Sequence, residues 1–422
     1  MTKKFLSPFM QEISERGFIH QCTDPEGLDK LIVKNKSISA YIGFDCTASS
    51  LHVGNLLPIM ILKIFQRHGH KPIIVLGGGT TKIGDPSGKD TVRKLLSDNE
   101  IKKNASALKK IFQRFLNFGK TKNGAIIVDN SIWLEKLKYI PFLRDFGRHF
   151  SVNRMLTFDS IKTRLDREQP LSFLEFNYMV LQSYDFLQLA RKYSCSLQMG
   201  GSDQWGNIVS GVELSRRTLG KTLYGLTSPL ITTSKGTKMG KTEEGAIWLD
   251  DKLTSPYEYW QFWRNSHDDD VNTFLKLFTD LPVEKISSLG KLKGSEIDGT
   301  KKILAFEATR LCHGKKNAEE ALKTAKNTFE KGGSGSMLPT ESVAQKQLEK
   351  GIPAFQLFGS QDLNLCQSMG ESRRLIRGKG AKINGSIVTD EMQMITIDDL
   401  DSDGVIKLSA GKKRHAIIKV KK

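Results

Sequence analysis

Two short segments of the chain carry residue types suited to gripping a polyphosphate. Leu51–Asn55 reads LHVGN. His52, placed just before a helix N-terminus, can donate a hydrogen bond to a phosphate oxygen, and Gly54 lets a ligand approach the backbone closely. The free amide protons and the dipole of the helix start attract the same charge. Lys238–Thr242 reads KMGKT and follows Thr232–Thr237, TTSKGT. Small polar residues make that stretch a mobile loop, and Lys238 and Lys241, with a glycine between them, can close over phosphates. Taken singly, the first segment also fits an ordinary capping turn and the second a solvated basic face.

The elements around these segments predict how they are positioned. Ser37–Asp45 (SISAYIGFD) reads as a buried strand, followed by a loop over Cys46–Leu51 and an apolar run of helical length over Leu56–Phe65. Pro58 falls in the first turn of that helix, where an amide proton has no intrahelical partner. Pro72–Leu76 (PIIVL) is a second strand, ending in Gly77, Gly78 and Gly79. Strand, helix, strand is a βαβ unit and predicts a parallel sheet of the nucleotide-binding type. Ala125–Val128 and Ser194–Met199 are further strand candidates, the second running into GGSDQWGN. Residues from about 90 to 185 and from 256 to 330 read as mostly helical. Residues 331–351, with a Gly/Ser cluster (KGGSGSM) and polar residues, read as carrying a linker. The expected fold class is α/β: a Rossmann-like parallel-sheet domain with a helical insertion over 1–250, an α-helical domain over 251–335, a linker over 336–351, and a small α+β module over 352–422.

Composition bounds the function. At 422 residues the chain suits two or three domains. Hydrophobic content of 38% and charged content of 26% fit a soluble globular protein. No apolar run reaches the roughly 18 residues a membrane span needs. Met1–Met10 (MTKKFLSPFM) has no long apolar run and no small-residue cleavage site, so no secretory signal is expected. The five cysteines are odd in number and lack a C-x-x-C pair, which argues against a disulfide framework and against a zinc site. No metal ligands are assigned, and a cytoplasmic location is expected. The net charge of +18 suits a polyanionic partner such as nucleic acid, although a lysine-rich genome would give the same figure.

The pair of phosphate segments, in this order, resembles the class I aminoacyl-tRNA synthetases, whose motifs are written HIGH and KMSKS. Four further segments resemble the tyrosyl-type members of that family: Tyr41–Ala48 (YIGFDCTA), Gly84–Lys89 (GDPSGK), Tyr178–Asp185 (YMVLQSYD) and Gln198–Asn207 (QMGGSDQWGN). The resemblance implies that Tyr41 and Asp185 hold a phenolic hydroxyl. It places Tyr178, Gln182 and Asp85 at the amino group, Gln198 in the pocket wall, and Gln204 near the reacting carboxylate. Gly43, the Asp45 amide, Gly54, Gly201 and Asp203 would meet the nucleotide. Thr47 and His52 would meet the γ-phosphate, with Asn55 keeping a hydrogen-bonding side chain where the family motif has its second histidine. Lys89, Arg93, Lys238, Lys241 and Thr242 would surround the departing pyrophosphate. Helical spacing independently puts Tyr178, Gln182 and Asp185 on one face.

The same resemblance implies ATP with Mg²⁺, L-tyrosine and tRNA(Tyr) as partners, and a homodimer joined through the catalytic domain. Gly370–Val388 resembles the S4-type RNA-binding fold, with Arg373, Arg374, Arg377, Lys379 and Lys382 as its cationic residues. Asn384-Gly385 is expected to turn a tight hairpin. The tail GKKRHAIIKVKK alternates apolar and basic residues as an edge strand would. Tryptophanyl-type enzymes, nucleotidylyltransferases and non-catalytic RNA-binding relatives share parts of this pattern. The Tyr41/Asp185 pair and the SDQWGN segment favour tyrosine. A site that hydrogen-bonds a substrate hydroxyl rejects the analogue lacking it, a device for which tyrosyl enzymes are the established example. Tyr41→Phe is therefore expected to weaken discrimination against phenylalanine in ATP–pyrophosphate exchange, and unchanged selectivity would contradict the pocket assignment.

Overall fold

Lys71–Leu76 (β3, KPIIVL) is apolar without alternation, and every residue after the lysine is buried. Such a run belongs in the middle of a parallel sheet covered on both faces. In the computed structural model β3 is an interior strand of a six-stranded sheet. The other strands are β1 (Gln21–Cys22), β2 (Ser39–Phe44), β4 (Ile126–Asp129), β5 (Cys195–Gly201) and β6 (Tyr224–Ser228), in the order β1-β6-β5-β2-β3-β4. All neighbours run parallel except β1, which pairs antiparallel with β6. The structure describes residues 5–87, 96–234, 236, 239–242, 245–292, 294, 296–330, 338–401, 404–411 and 414–421. The expected βαβ unit is present: the Leu56–Arg67 helix connects β2 to β3.

This strand order fixes where a ligand can bind. β3 and β4 lie to one side of β2, and β5 and β6 to the other, so the chain reverses its winding between β2 and β5. In open parallel sheets a crevice forms beyond the carboxyl ends of the strands at that point. Gly43, near the end of β2, is exposed although its strand is interior, and a Cβ there would meet nothing within 4 Å. The long Phe173–Tyr193 helix leads into β5. It opens with a capping box between Ser172 and Glu175 and ends at Ser194 in the left-handed region (φ 51°). It packs along the Trp205–Leu219 helix that follows β5.

The chain divides into two compact units, one of residues 1–255 with 262–312 and one of residues 256–261 with 313–422. Much of the helical region expected as a separate domain over 251–335 therefore belongs with the sheet. The rings of Trp263, Phe274 and Phe278 pack against one another in edge-on and tilted contacts. Arg16, only 3% exposed, donates to the carbonyls of Lys276 (2.8 Å), Thr279 (3.2 Å) and Leu281 (2.7 Å). It thus caps the C-terminal end of the Asp268–Phe278 helix with a cation. Lys63 and Arg67, on the helix between β2 and β3, each lie 3.3 Å from Asp280.

In the second unit, residues expected as linker are structured from Thr340 on. Thr340–Ala344 is a strand and Gln345–Lys350 a helix. The strand pairs in parallel with Arg414–Lys421, which also pairs with Val405–Ala410. The tail is consequently an interior strand rather than an edge: its parallel partner comes from a stretch whose polar composition resembles a linker. Ala381–Ile383 and Ser386–Ile387 complete the five-stranded sheet. Asn384 (φ 48°) and Gly385 (φ 88°) turn the expected hairpin, with both central residues in the left-handed region. Ile376, Leu408 and Ile418 are among the residues filling this unit's core. No described helix is long and apolar enough to cross a membrane.

Glu12 anchors the first unit's helices. It lies 2.6 Å from Arg16 and 2.7 Å from the His68 ring, and it also pairs with Arg67. Burial pushes its carboxyl up, but His68, Arg16 and Arg67 together pull it down to about 2. A carboxylate whose folded pKa is depressed stabilises the fold fully above its unfolded value and loses that contribution as pH falls through the folded one. Glu12→Gln should flatten the acid limb of the stability curve between roughly pH 4.5 and pH 2. Denaturant titrations across that window would test this, and an acid limb as steep as the parent's would contradict it.

Candidate active site

Asp185 is 3% exposed. A carboxyl group so placed must find donors within the protein. Asn130 Nδ2 donates to its Oδ2 at 2.9 Å, and the Trp133 indole N–H donates to its Oδ1 at 2.6 Å. Burial pushes the Asp185 carboxyl up, these two donors pull it back, and the charges of Asp45 and Asp129 push it up again, to about 7. Close by, the Tyr41 ring lies 5.3 Å from Phe186, and its hydroxyl is buried without a hydrogen-bond partner among the described residues. Burial and the nearby Asp185 carboxyl raise the Tyr41 phenol well above its ordinary range. Gln198 Oε1 is likewise buried without a hydrogen-bond partner among the described residues, on the β5 residue in register with Tyr41 on the neighbouring strand. A hydroxyl stripped of water and left unpaired costs about 1–3 kcal/mol, a penalty that a bound polar ligand relieves.

From Asp185 the polar chain continues toward β2. Asn130 Nδ2 also donates to Thr80 Oγ1 (3.1 Å), Thr80 Oγ1 donates to Asp45 Oδ1 (2.8 Å), and the Tyr178 hydroxyl donates to Asp45 Oδ2 (3.2 Å). The chain thus leaves the Phe173–Tyr193 helix at Asp185 and returns to it at Tyr178, two turns earlier. A second chain lies alongside. Gln204 Nε2 donates to Asp85 Oδ2 (2.8 Å), and Asn207 Nδ2 donates to Gln204 Oε1 (3.1 Å) and Gln182 Oε1 (3.0 Å). The glycines after β3 make room for the acids, because a Cβ at Gly77 would lie 2.2 Å from Asp45 Oδ1 and one at Gly78 2.2 Å from Asp129 Oδ1. Because the charges of Asp45 and Asp129 both act on Asp185, this end of the pocket disfavours further negative charge.

The His52 turn and the Met239–Gly240 stretch meet. His52 caps a 3₁₀ turn over Val53–Asn55: its Nδ1 accepts the Gly54 N–H (3.0 Å), and Asn55 Oδ1 accepts the His52 N–H (3.2 Å). Asn55 therefore serves the turn itself. Val53 N–H donates to the Ile247 carbonyl (2.9 Å), and Ile247 N–H to the Gly240 carbonyl (3.2 Å). The approach is tight enough that a Cβ at Gly54 would lie 2.7 Å from the Met239 carbonyl oxygen, and one at Gly240 2.6 Å from Gly54 N. The backbone of Lys241–Thr242 pairs with Gly245–Ala246. Thr47 is exposed in the loop after β2, and Gly201 and Asp203 sit where β5 ends. Lys89, Arg93 and Lys238 lie outside the described residues.

The second unit sorts its basic residues. Arg373 lies over the Phe355 ring (3.9 Å) and ion-pairs with Glu391 (2.7 Å), and Arg377 reaches the same carboxylate (2.9 Å). Arg374, Lys379 and Lys382 are exposed.

Sequence reasoning missed Thr80, Asn130, Trp133 and Asn207. The signal for Asn130 was its place just beyond the carboxyl end of a parallel strand, where ligand-facing residues gather. For Trp133 the sequence offers no comparable sign.

Residues 33–330 match the family described as tRNA synthetases class I (W and Y). The chain is 56% identical to the tyrosine–tRNA ligase of Rhodospirillum rubrum over 414 residues, covering 98% of both chains. It is 57% identical to that of Zymomonas mobilis, covering 98% of this chain and 99% of the relative. The chain belongs to the class I tyrosyl-tRNA synthetases. Among solved structures, this synthetase fold matches a C-terminally truncated mitochondrial tyrosyl-tRNA synthetase of Aspergillus nidulans. The TM-score is 0.68 at 31% identity, over 76% of this chain and 94% of that one. The α/β class and the family resemblance read from the sequence are both borne out.

The Trp133 N–H stabilises the charged form of Asp185. Trp133→Phe should therefore move the Asp185 titration upward from about 7, as followed by NMR of carboxyl-labelled aspartate. A titration that stays in place would remove Trp133 from the control of that carboxyl.

Proposed function

We infer that this chain activates L-tyrosine with ATP and transfers it to tRNA(Tyr). The observation that carries the reading is the buried, unpaired Tyr41 hydroxyl beside the Asp185 carboxyl, a pair of polar groups awaiting a phenolic oxygen. The pocket's acids suit the α-ammonium, with Tyr178, Gln182 and Asp85 near it and Gln198 and Gln204 along the wall. The nucleotide lies over Gly43, the Asp45 amide, Gly54, Gly201 and Asp203.

In the first step a tyrosine carboxylate oxygen bonds to the α-phosphorus of ATP, and the bond to the bridging oxygen breaks, releasing pyrophosphate. The substrate supplies the nucleophile, so no protein side chain need attack. Catalysis then consists of positioning and of stabilising charge on the phosphoryl oxygens and leaving group. Thr47, His52, Lys89, Arg93, Lys238, Lys241 and Thr242 are the groups assigned to that charge, and Mg²⁺ arrives with ATP. Cations that engage as the charge develops raise the rate more than uniform binding does. In the second step a terminal ribose hydroxyl of the tRNA attacks the tyrosyl carbonyl, and AMP leaves with the carboxyl–phosphate oxygen.

Two further parts support the reading. The second unit, read as S4-like, presents Arg374, Lys379 and Lys382 to RNA, while Arg373 and Arg377 are held by Glu391. Exposed apolar side chains at Tyr139, Ile140 and Phe173, each more than 60% accessible, suit burial against a second copy of the chain in a homodimer. ATP–pyrophosphate exchange with each of the twenty amino acids tests the assignment. Exchange with tyrosine alone is expected, and exchange driven by tryptophan, or by none, would contradict it.

A further inference from the structure

One buried carboxylate of the first unit has no part in the assignments above. Asp270 lies in the first turn of the Asp268–Phe278 helix and is 9% exposed. Both of its oxygens accept the backbone N–H of Ser234, at 2.9 and 3.1 Å, and Oδ2 also accepts the Ser234 hydroxyl at 3.2 Å. Ser234 is an exposed residue of the segment that carries Lys238 and Lys241. That segment is closed on itself by the Met239 N–H, which donates to the Ile231 carbonyl at 3.1 Å. Its far end rests on the His52 turn through the tight approach of Met239 and Gly240 to Gly54.

We propose that Asp270 is a positioning residue for adenylate formation: it fixes the Ser234 end of the lysine segment relative to the His52 turn. The helix that carries Asp270 is itself fixed to the sheet unit. Arg16 caps its C-terminal end, and Lys63 and Arg67 hold Asp280 just beyond it. A rigid carboxylate is thereby presented to the backbone and hydroxyl of Ser234. Hydrogen bonds to an ionised acceptor are stronger than neutral ones. Negative charge in a helix's first turn is favourable, so Asp270 is stable where it stands. A lysine held near its working position needs less ordering when charge develops on the phosphate groups. This inference rests on the reading that Lys241 meets the departing pyrophosphate.

The test is single-turnover adenylate formation by the full-length chain carrying Asp270→Ala, Asp270→Asn, Ser234→Ala or Lys241→Ala. Tyrosine affinity and thermal midpoint are measured on each variant. Asp270→Ala should slow adenylate formation about tenfold or more and raise the KM for ATP, leaving tyrosine affinity within about twofold of the parent. Asp270→Asn keeps an oxygen for the Ser234 N–H and should recover part of the rate. Ser234→Ala, at an exposed position, should lose a smaller part and add little on top of Asp270→Ala. A parental rate in both Asp270→Ala and Ser234→Ala, with Lys241→Ala slow, would overturn the tether alone. So would a loss in Asp270→Ala that Asn does not restore and that falls on tyrosine affinity and thermal midpoint together. A parental rate in Lys241→Ala would instead overturn the reading of the lysine segment, and the inference with it.

Discussion

A carboxyl group taken out of water at Asp185 is the constraint around which the pocket is arranged. Removing an ionised carboxylate from solvent costs several kcal/mol unless donors replace the lost hydration. The protein supplies two, from Asn130 and Trp133, and even so the group titrates near 7. Each donor must in turn be held. Asn130 is fixed by Thr80 and by the Gly79 amide, which donates to its Oδ1 at 2.8 Å. Through Thr80 the network reaches Asp45, at the end of the strand that also carries Tyr41 and Gly43. The Asp185 carboxyl and the carboxyl end of β2 are thus joined by one run of hydrogen bonds.

The His52 turn and the loop that meets it follow a different logic. There the backbone does most of the positioning: His52 and Asn55 close their own turn, and glycines at 54 and 240 permit two loops to touch. The helices after the sheet are part of this frame. Arg16, Lys63 and Arg67 bind the Asp268–Phe278 region to the elements flanking the sheet, and the same helix returns a contact to the lysine segment. A reaction whose nucleophile is the substrate itself demands such a frame more than it demands a reactive side chain.

Much of this was legible in the sequence, for physical reasons that differ between elements. The apolar run of β3 and the length of the Leu56–Arg67 segment fixed the βαβ unit, because a buried parallel strand needs continuous hydrophobicity. Spacing along the Phe173–Tyr193 helix placed Tyr178 and Asp185 on one polar network. Asn130 and Trp133 were not legible, since each acts by supporting another residue and carries no motif of its own. The C-terminal sheet was misread at its edge for a related reason: the partner of the last strand is a polar five-residue segment whose pairing is a long-range event that local pattern does not record.

The most direct measurement is a crystal structure of the chain with tyrosine bound. The ligand's phenolic oxygen should lie within hydrogen-bonding distance of both the Tyr41 hydroxyl and the Asp185 carboxyl, with its ammonium toward Tyr178, Gln182 and Asp85. A ligand bound elsewhere, or one that left the Tyr41 hydroxyl as unpaired as before, would contradict the account.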